Sequence, residues 1–262
     1  MQNRETALIT GASFGIGYEL AQIFARKGYD LVMVARTEGK LNEMAKELSA
    51  AHKVNVKVIA KDLILPSSPQ EIFDELKAEN ISIDILVNNA GVGTFGRFWE
   101  TDLKTQLDMI QINISALTHL TGLFLPDMIE RGKGKILNVG STAGFQPGPL
   151  MAVYYATKSY VLLFSEALAN ELKRTGITVT TLCPGPVKTE FQRRAKLEKN
   201  VFLLKGKIFE PDTIAEAGYK GLMKGKSIVI PGLMFKAPIQ MSRFFPRKLI
   251  TKVSGLLLKQ RQ

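Results

Sequence analysis

Seven short runs rich in β-branched and apolar residues alternate with longer stretches of helical spacing along most of this chain. Such alternation closes most simply into a parallel sheet, each helix carrying the chain back to the same sheet end. The predicted strands are Thr6–Thr10, Asp30–Ala35, Val54–Ala60, Asp84–Asn88, Lys135–Val139, Thr178–Leu182 and Ser227–Ile230. The predicted helices are Ile16–Lys27, Glu38–Ala51, Pro69–Glu79, Lys104–Arg131, Ala152–Arg174 and Pro211–Lys224. Ile85-Leu86-Val87 is apolar on consecutive residues, as a strand covered on both faces requires. The expectation is an α/β fold: a doubly wound parallel seven-stranded sheet with helices on both faces.

No linker or internal repeat divides the 262 residues, so 1–262 reads as one domain. Phe191–Phe209 breaks the alternation with Arg193, Arg194, Lys196, Lys199, Lys205 and Lys207, and reads as an excursion above the sheet at about 190–210. At 45% hydrophobic and 23% charged, the composition excludes a disordered or fibrous chain. The single cysteine, Cys183, excludes a disulfide framework and reads as a packed small residue. His52 and His119 lie too far apart to suggest a metal site. No apolar run reaches the ~18 residues of a membrane span, and no signal-peptide stretch precedes the first strand, so a cytoplasmic location is expected.

The net charge of +11 is unevenly placed. Residues 1–187 carry 18 Lys+Arg against 19 Asp+Glu, whereas residues 188–262 carry 17 against 5. A nucleic-acid binder would spread basic residues over a recognition face or carry a known motif; neither is present.

The first strand runs into Thr10-Gly11-Ala12-Ser13-Phe14-Gly15-Ile16-Gly17, followed at once by a helical pattern. Glycine permits a tight turn at Gly11, close approach of a phosphate at Gly15 and helix–strand packing at Gly17. The amides and dipole of the helix start favour a pyrophosphate there. The second strand ends at Arg36, which suits a 2′-phosphate and points to NADP(H) ahead of NAD(H). Glu38 is the rival ribose reader, but it fits better as the first-turn acid of the helix starting near Thr37. Phe14 stands where a second basic residue would have strengthened the phosphate reading.

Proton chemistry has its own signature. Tyr154 and Lys158 are four residues apart on one helix face, so a cation is expected beside the phenol, lowering its pKa. Tyr155 has Ser159 at that spacing and no such cation. Lys158 could also reach ribose hydroxyls and relay the proton. Ser141, just past the fifth strand, offers a hydroxyl to a substrate oxygen. Asn113 has an amide able to hold a relay water.

These residues together resemble the short-chain dehydrogenases/reductases, single-domain oxidoreductases of Rossmann type. The resemblance covers about residues 5–232 and rests on Thr10–Gly17, Asp62-Leu63, Asn88-Asn89-Ala90-Gly91, Asn113, Ser141, Tyr154-x-x-x-Lys158 and Pro184-Gly185-Pro186-Val187-x-Thr189. It implies a catalytic set of Asn113, Ser141, Tyr154 and Lys158. It implies cofactor contacts from Gly11, Ser13, Phe14, Gly15, Ile16 and Gly17. Asp62 and Leu63 would border the adenine, and Asn89, Ala90 and Gly91 would close over the adenosine ribose side. Pro184, Gly185, Val187 and Thr189 would meet the nicotinamide half, Thr189 at its carboxamide or phosphates.

The resemblance implies a small-molecule carbonyl or alcohol as substrate. Phe145, Leu150, Met151, Phe191 and Phe202 suggest an apolar pocket around Ser141 and Tyr154, fitting a ketone or acyl-type compound, although the same side chains also fit ordinary loop anchors. A non-catalytic NADP-binding sensor or scaffold is the alternative, and such proteins usually lose one of the tyrosine, lysine or serine retained here. Lys104–Arg131 and Ala152–Arg174 carry Leu117, Leu120, Leu123, Leu163, Phe164 and Leu168 over more than one face, and in relatives of this family the equivalent helices pair, so a homodimer or homotetramer is expected. The basic extension at about 232–262 places Leu249, Val253, Leu256 and Leu257 at helical spacing beside Lys248, Lys252 and Lys259. It reads either as a helix packed on its own fold, or as a peripheral contact with an anionic membrane or an acidic acyl carrier.

Overall fold

Alternate residues of the central strands face opposite helical layers. On β1 (Thr6–Thr10), Ala7 and Ile9 turn to one layer and Leu8 to the other. On β2 (Asp30–Ala35), Leu31 and Met33 oppose Val32 and Val34. All seven side chains are buried, so each face needs a helical cover. The computed structural model describes residues 4–195, 208–242 and 244–258, the side chains of Arg193 and Arg194 excepted.

One layer is α1 (Gly15–Arg26), α2 (Glu38–His52) and a later helix over Pro211–Met223, whose Phe24, Leu41 and Ile214 share one core with Ile9 and Val87. The other contains α3 (Ser68–Ala78), whose Ile72 packs in a second core with Leu8, Phe124 and Leu168. The remaining strands are β3 (Val56–Ala60), β4 (Ile85–Asn88), β5 (Gly134–Val139), β6 (Ile177–Leu182) and β7 (Ile228–Val229). Their order is β3-β2-β1-β4-β5-β6-β7, every neighbouring pair parallel. This is the doubly wound seven-stranded sheet expected from the pattern. The order reverses between β1 and β4, which opens a crevice at the carboxyl ends of those strands.

Two regions differ from expectation. The helix expected over Lys104–Arg131 is interrupted: α4 (Leu103–Ile110) passes through a π-helical turn, Gln111–Ala116, into α5 (Leu117–Glu130). The Asn113 amide lies in that turn and takes both backbone groups of Val92, a tertiary contact that apolar spacing does not encode. After α6 (Ala152–Glu171), α7 (Glu190–Arg194) and α8 (Pro211–Met223), the basic extension forms two helices where one was expected: α9 (Leu233–Ser242) and α10 (Arg247–Leu258). The excursion is pinched at its base by a parallel bridge between Val187 and Phe209. Lys196, Lys199, Phe202, Lys205, Lys207 and Lys259 lie outside the described residues.

Candidate active site

The chain leaves β1 through Gly11 at φ +65 and enters α1 at Gly15, φ +56, both in the left-handed region that favours glycine. A Cβ on Gly11 would fall 2.9 Å from Asn89 Nδ2, and one on Gly15 would fall 2.7 Å from Thr189 Cγ2. Gly17 presses against the Gly11 carbonyl and the Asn89 amide. Phe14, the N-cap residue, offers no side-chain acceptor, and no acid lies in the first turn of α1, so this helix end suits an anion. Asn89 holds the loop in shape: its Nδ2 donates to Thr10 O at 2.9 Å and Gly11 O at 3.2 Å, while Thr10 Oγ1 accepts from the amides of Asn89 and Ala90.

Arg36, about half exposed, lies just past β2 with its guanidinium 3.8 Å from Asp62 Oδ2. Leu63 beside it is buried. Sequence reasoning missed Lys40, which places Nζ 3.6 Å above the centre of the Phe14 ring. Lys40, in the first turn of α2, thus brings a second cation to the place where Phe14 itself supplies none. Glu38 is exposed and opens α2 as its first-turn acid.

Ser141, Tyr154 and Lys158 converge at the ends of β5 and α6. Ser141 caps the short turn Thr142–Phe145, its Oγ accepting from Ala143 N at 3.1 Å and donating to Pro184 O at 3.5 Å, and its hydroxyl faces the Tyr154 phenol. Lys158 is buried; its Nζ donates to Val139 O at 2.7 Å and stands 5.9 Å from the centre of the Tyr154 ring. The expected lowering of the Tyr154 pKa is absent: burial pushes the phenol up to about 12, with the Ser141 hydrogen bond pulling the other way. The lysine is desolvated as well. Burial holds Lys158 down to about 8, and its proton is directed at a backbone carbonyl. Burial likewise raises the Cys183 thiol to about 12, which fits a packed residue.

Asn113 is buried, and its amide is fully engaged as a donor: Nδ2 gives to Val92 O and to Thr157 Oγ1, each at 3.0 Å, and Oδ1 accepts from Val92 N. A water there would find only the remaining Oδ1 acceptor capacity. Asn113 Oδ1 and Lys158 Nζ each lie 3.4 Å from where a Gly91 Cβ would stand, so this glycine leaves room between them. Beneath the site, Asn88 donates to Asn138 and Asn138 to Ser165, tying β4, β5 and α6 at one depth.

A single cleft of about 600 Å³ joins these parts, lined from Gly11, Ser13, Phe14, Gly15 and Ile16 through Ser141, Tyr154 and Lys158 to Pro184, Gly185, Val187 and Thr189. Its apolar end is built by Met151, Phe191, Met234, Ile239, Leu257 and Leu258. Phe191 lies against Tyr154 with ring centres 5.3 Å apart. Gly93 makes this possible, since a Cβ there would fall 2.5 Å from the Phe191 ring. Phe145, expected in the substrate pocket, ends the turn after Ser141 and is not among the lining residues; Gln146 lines the cleft in its place. The α9 and α10 contributions were missed, because a sequence does not show that its carboxyl end folds back over the sheet. Among the described residues no cluster of His, Cys, Asp or Glu could hold a metal ion.

Residues 5–200 match the short chain dehydrogenase family. The chain is 37% identical over 196 residues to a very-long-chain 3-oxoacyl-CoA reductase of Anas platyrhynchos, a match covering 72% of this chain and 62% of that protein. A short-chain dehydrogenase from Sphingobium yanoikuyae in complex with NADPH superposes with a TM-score of 0.82 at 33% identity, covering 98% of this chain and 97% of that one. A bulky-bulky ketone specific alcohol dehydrogenase from Comamonas testosteroni gives a TM-score of 0.79 at 31% identity, over 93% of each chain.

Proposed function

The chain belongs to the short-chain dehydrogenases, and from that premise we propose that it is an NADP(H)-dependent reductase of apolar ketone or acyl-type carbonyl compounds, with Tyr154 as the proton donor. The observation that carries this reading is the continuous cleft running from a glycine cradle, past Ser141, Tyr154 and Lys158, to an apolar end. The cradle fits a dinucleotide because the uncapped start of α1, with no acid in its first turn, lines the cleft at Gly15 and Ile16, and Arg36 and Lys40 supply cations at the adenosine end. The NADPH complex and the 3-oxoacyl-CoA reductases among its relatives support the cofactor and the substrate class.

When bound, the nicotinamide supplies a hydride to the carbonyl carbon. The protein's part is the oxygen. Ser141 Oγ and the Tyr154 phenol hold the carbonyl oxygen, and Tyr154 gives it a proton as negative charge develops there. Lys158 carries the nearest positive charge and stabilises the phenolate left behind. The neighbouring Phe191, Met151 and Leu258 exclude water from the reacting carbon. Exposed Leu107 and Ile110 on α4 and Leu163 on α6 fit pairing of two copies through these helices.

The test is consumption of NADPH by the purified protein with ketones and 3-oxoacyl thioesters of increasing chain length. Turnover that improves with apolar length is expected. Tight NADPH binding without turnover of any carbonyl would favour the sensor or scaffold alternative.

A further inference from the structure

We propose that α9, α10 and the turn between them form a docking surface for an anionic lipid bilayer, with the mouth of the cleft opening into it. The helix α10 sits the wrong way round for a water-facing helix. Ser254 and Leu258 point inward at 2% exposure each, while Leu249, Val253 and Leu256, on the opposite side, are 46%, 47% and 60% exposed. A helix packed on a soluble fold buries its apolar stripe and shows its polar one. The turn adds Phe244 at 87% and Phe245 at 48% exposure, and α9 adds Leu233 and Met241.

Charge identifies the occupant. From Ala217 to Gln262 the sequence has no Asp or Glu and ten Lys+Arg. Lys236, Arg247, Lys248 and Lys252 are exposed, and among the described residues none has a carboxylate partner. Lys248 and Lys252, one turn apart, border the apolar arc of α10, so their stems can lie along hydrocarbon while the ammonium groups meet headgroup phosphates. A surface of interleaved aromatic, aliphatic and cationic side chains matches the bilayer boundary, where both kinds find a partner. No helix among the described residues is long and apolar enough to cross a membrane, and the contact proposed is a peripheral one.

Met234 and Leu257 belong to both surfaces: they line the cleft and are 49% and 42% exposed. A long-chain apolar carbonyl compound could therefore pass from the bilayer to Tyr154 without crossing water. This last step rests on the reductase reading; the docking itself does not.

The full chain is to be sedimented with phosphatidylcholine vesicles, with and without about one third phosphatidylserine, at low and high salt. Binding to the anionic vesicles alone, reversed by salt, is expected. The double variant K248Q/K252Q should bind about 30-fold more weakly, on the scale of two cations at an anionic surface. F244S/F245S should lose about tenfold or more, and K46Q on α2 should bind like the wild type. Retained NADPH binding would show each variant folded. Equal binding to both vesicle types, no binding to either, or binding only to an acidic carrier protein would overturn the proposal. So would a dimer that F244S/F245S converts to monomer without any vesicle binding, since copies of the chain would then cover this surface. Turnover without vesicle binding would remove the docking alone, and vesicle binding without turnover the reductase reading alone.

Discussion

Lys158 Nζ donates to the Val139 carbonyl at 2.7 Å, and this bond holds the ammonium of α6 against the end of β5, 5.9 Å from the Tyr154 ring centre. The cation is close enough to favour a phenolate electrostatically, yet its own position is costly. Burial holds it down to about 8, so the group proposed to assist Tyr154 titrates near that pH.

That value fixes a pH dependence. On the proposed mechanism, reduction needs Tyr154 protonated and Lys158 charged. Tyr154, at about 12, keeps its proton throughout the accessible range, so Lys158 sets the limit. The kcat/KM for NADPH, which reports groups of the free enzyme, should be level below neutrality and fall as pH rises through about 8. A profile unchanged up to pH 10 would assign the assisting charge elsewhere.

Removing the phenol separates chemistry from binding. Tyr154→Phe keeps the ring contact with Phe191 and deletes the hydroxyl that faces Ser141. Turnover should drop by ~10²–10⁴-fold, the usual worth of a general acid, with NADPH affinity nearly unchanged. Fluorescence titration and steady-state rates on the same preparation check both halves. Retention of more than about a tenth of the wild-type kcat would point to another acid.

The buried lysine should also cost stability. Its folded pKa, about 8, lies below the unfolded value near 10.5, so the unfolded chain binds more protons between these two values. The contribution of this group to stability therefore rises with pH across that window, and at pH 7 burying the charge works against folding. Lys158→Met should raise the unfolding free energy at pH 7 by about 1–3 kcal/mol while abolishing turnover. The wild-type minus variant difference, followed by denaturant unfolding, should shrink toward pH 10. That subtraction matters because Cys183 and Tyr155, both raised to about 12, drive the opposite trend at high pH. A variant less stable than the wild type at pH 7 would refute the sign.

Where the chain announced itself, local chemistry was sufficient. Gly11 and Gly15 adopt positive φ, and Tyr154 and Lys158 share a helix face, because these outcomes depend on residues within a few positions. Strand alternation on β1 and β2 was readable for the same reason. What stayed hidden was set by distant contacts. The π turn at Gln111–Ala116 answers to Val92, the α9–α10 pair packs on Pro149 and Gly185, and Lys40 matters only because Phe14 lies beneath it. The Tyr154 pKa was misjudged in the same way: spacing reveals a neighbouring cation, whereas desolvation depends on everything that surrounds the site.

Cofactor choice follows from two cations. Arg36→Asp should weaken NADPH binding by about 1–3 kcal/mol and relatively favour NADH, as loss of a charge-assisted contact would. Lys40→Ala should weaken NADPH in the same direction by a smaller margin, since its ammonium is shared with the Phe14 ring. Both effects should be small on NADH, which lacks the 2′-phosphate. Titration of the two cofactors against the three proteins decides it; equal affinity of the wild type for both would sink the NADP(H) assignment.

Assembly follows from side chains the fold leaves uncovered. Leu117, Leu120 and Leu168, expected to serve more than one face, lie in the core, whereas Leu107 and Leu163 stand 56% and 66% exposed on α4 and α6. Tyr160 bonds Thr118 and stacks on Phe164 beside them, which gives this face a firm, partly aromatic floor. A contiguous apolar surface across two helices suits a self-complementary two-fold contact, in which each Leu163 meets the partner's apolar helix face. Sedimentation velocity at micromolar concentration should show a dimer or tetramer. Leu163→Lys should shift it toward a smaller species, because two introduced charges would meet across the axis without partners. A wild-type monomer under those conditions would leave these leucines as solvent-facing residues and remove the two-fold contact.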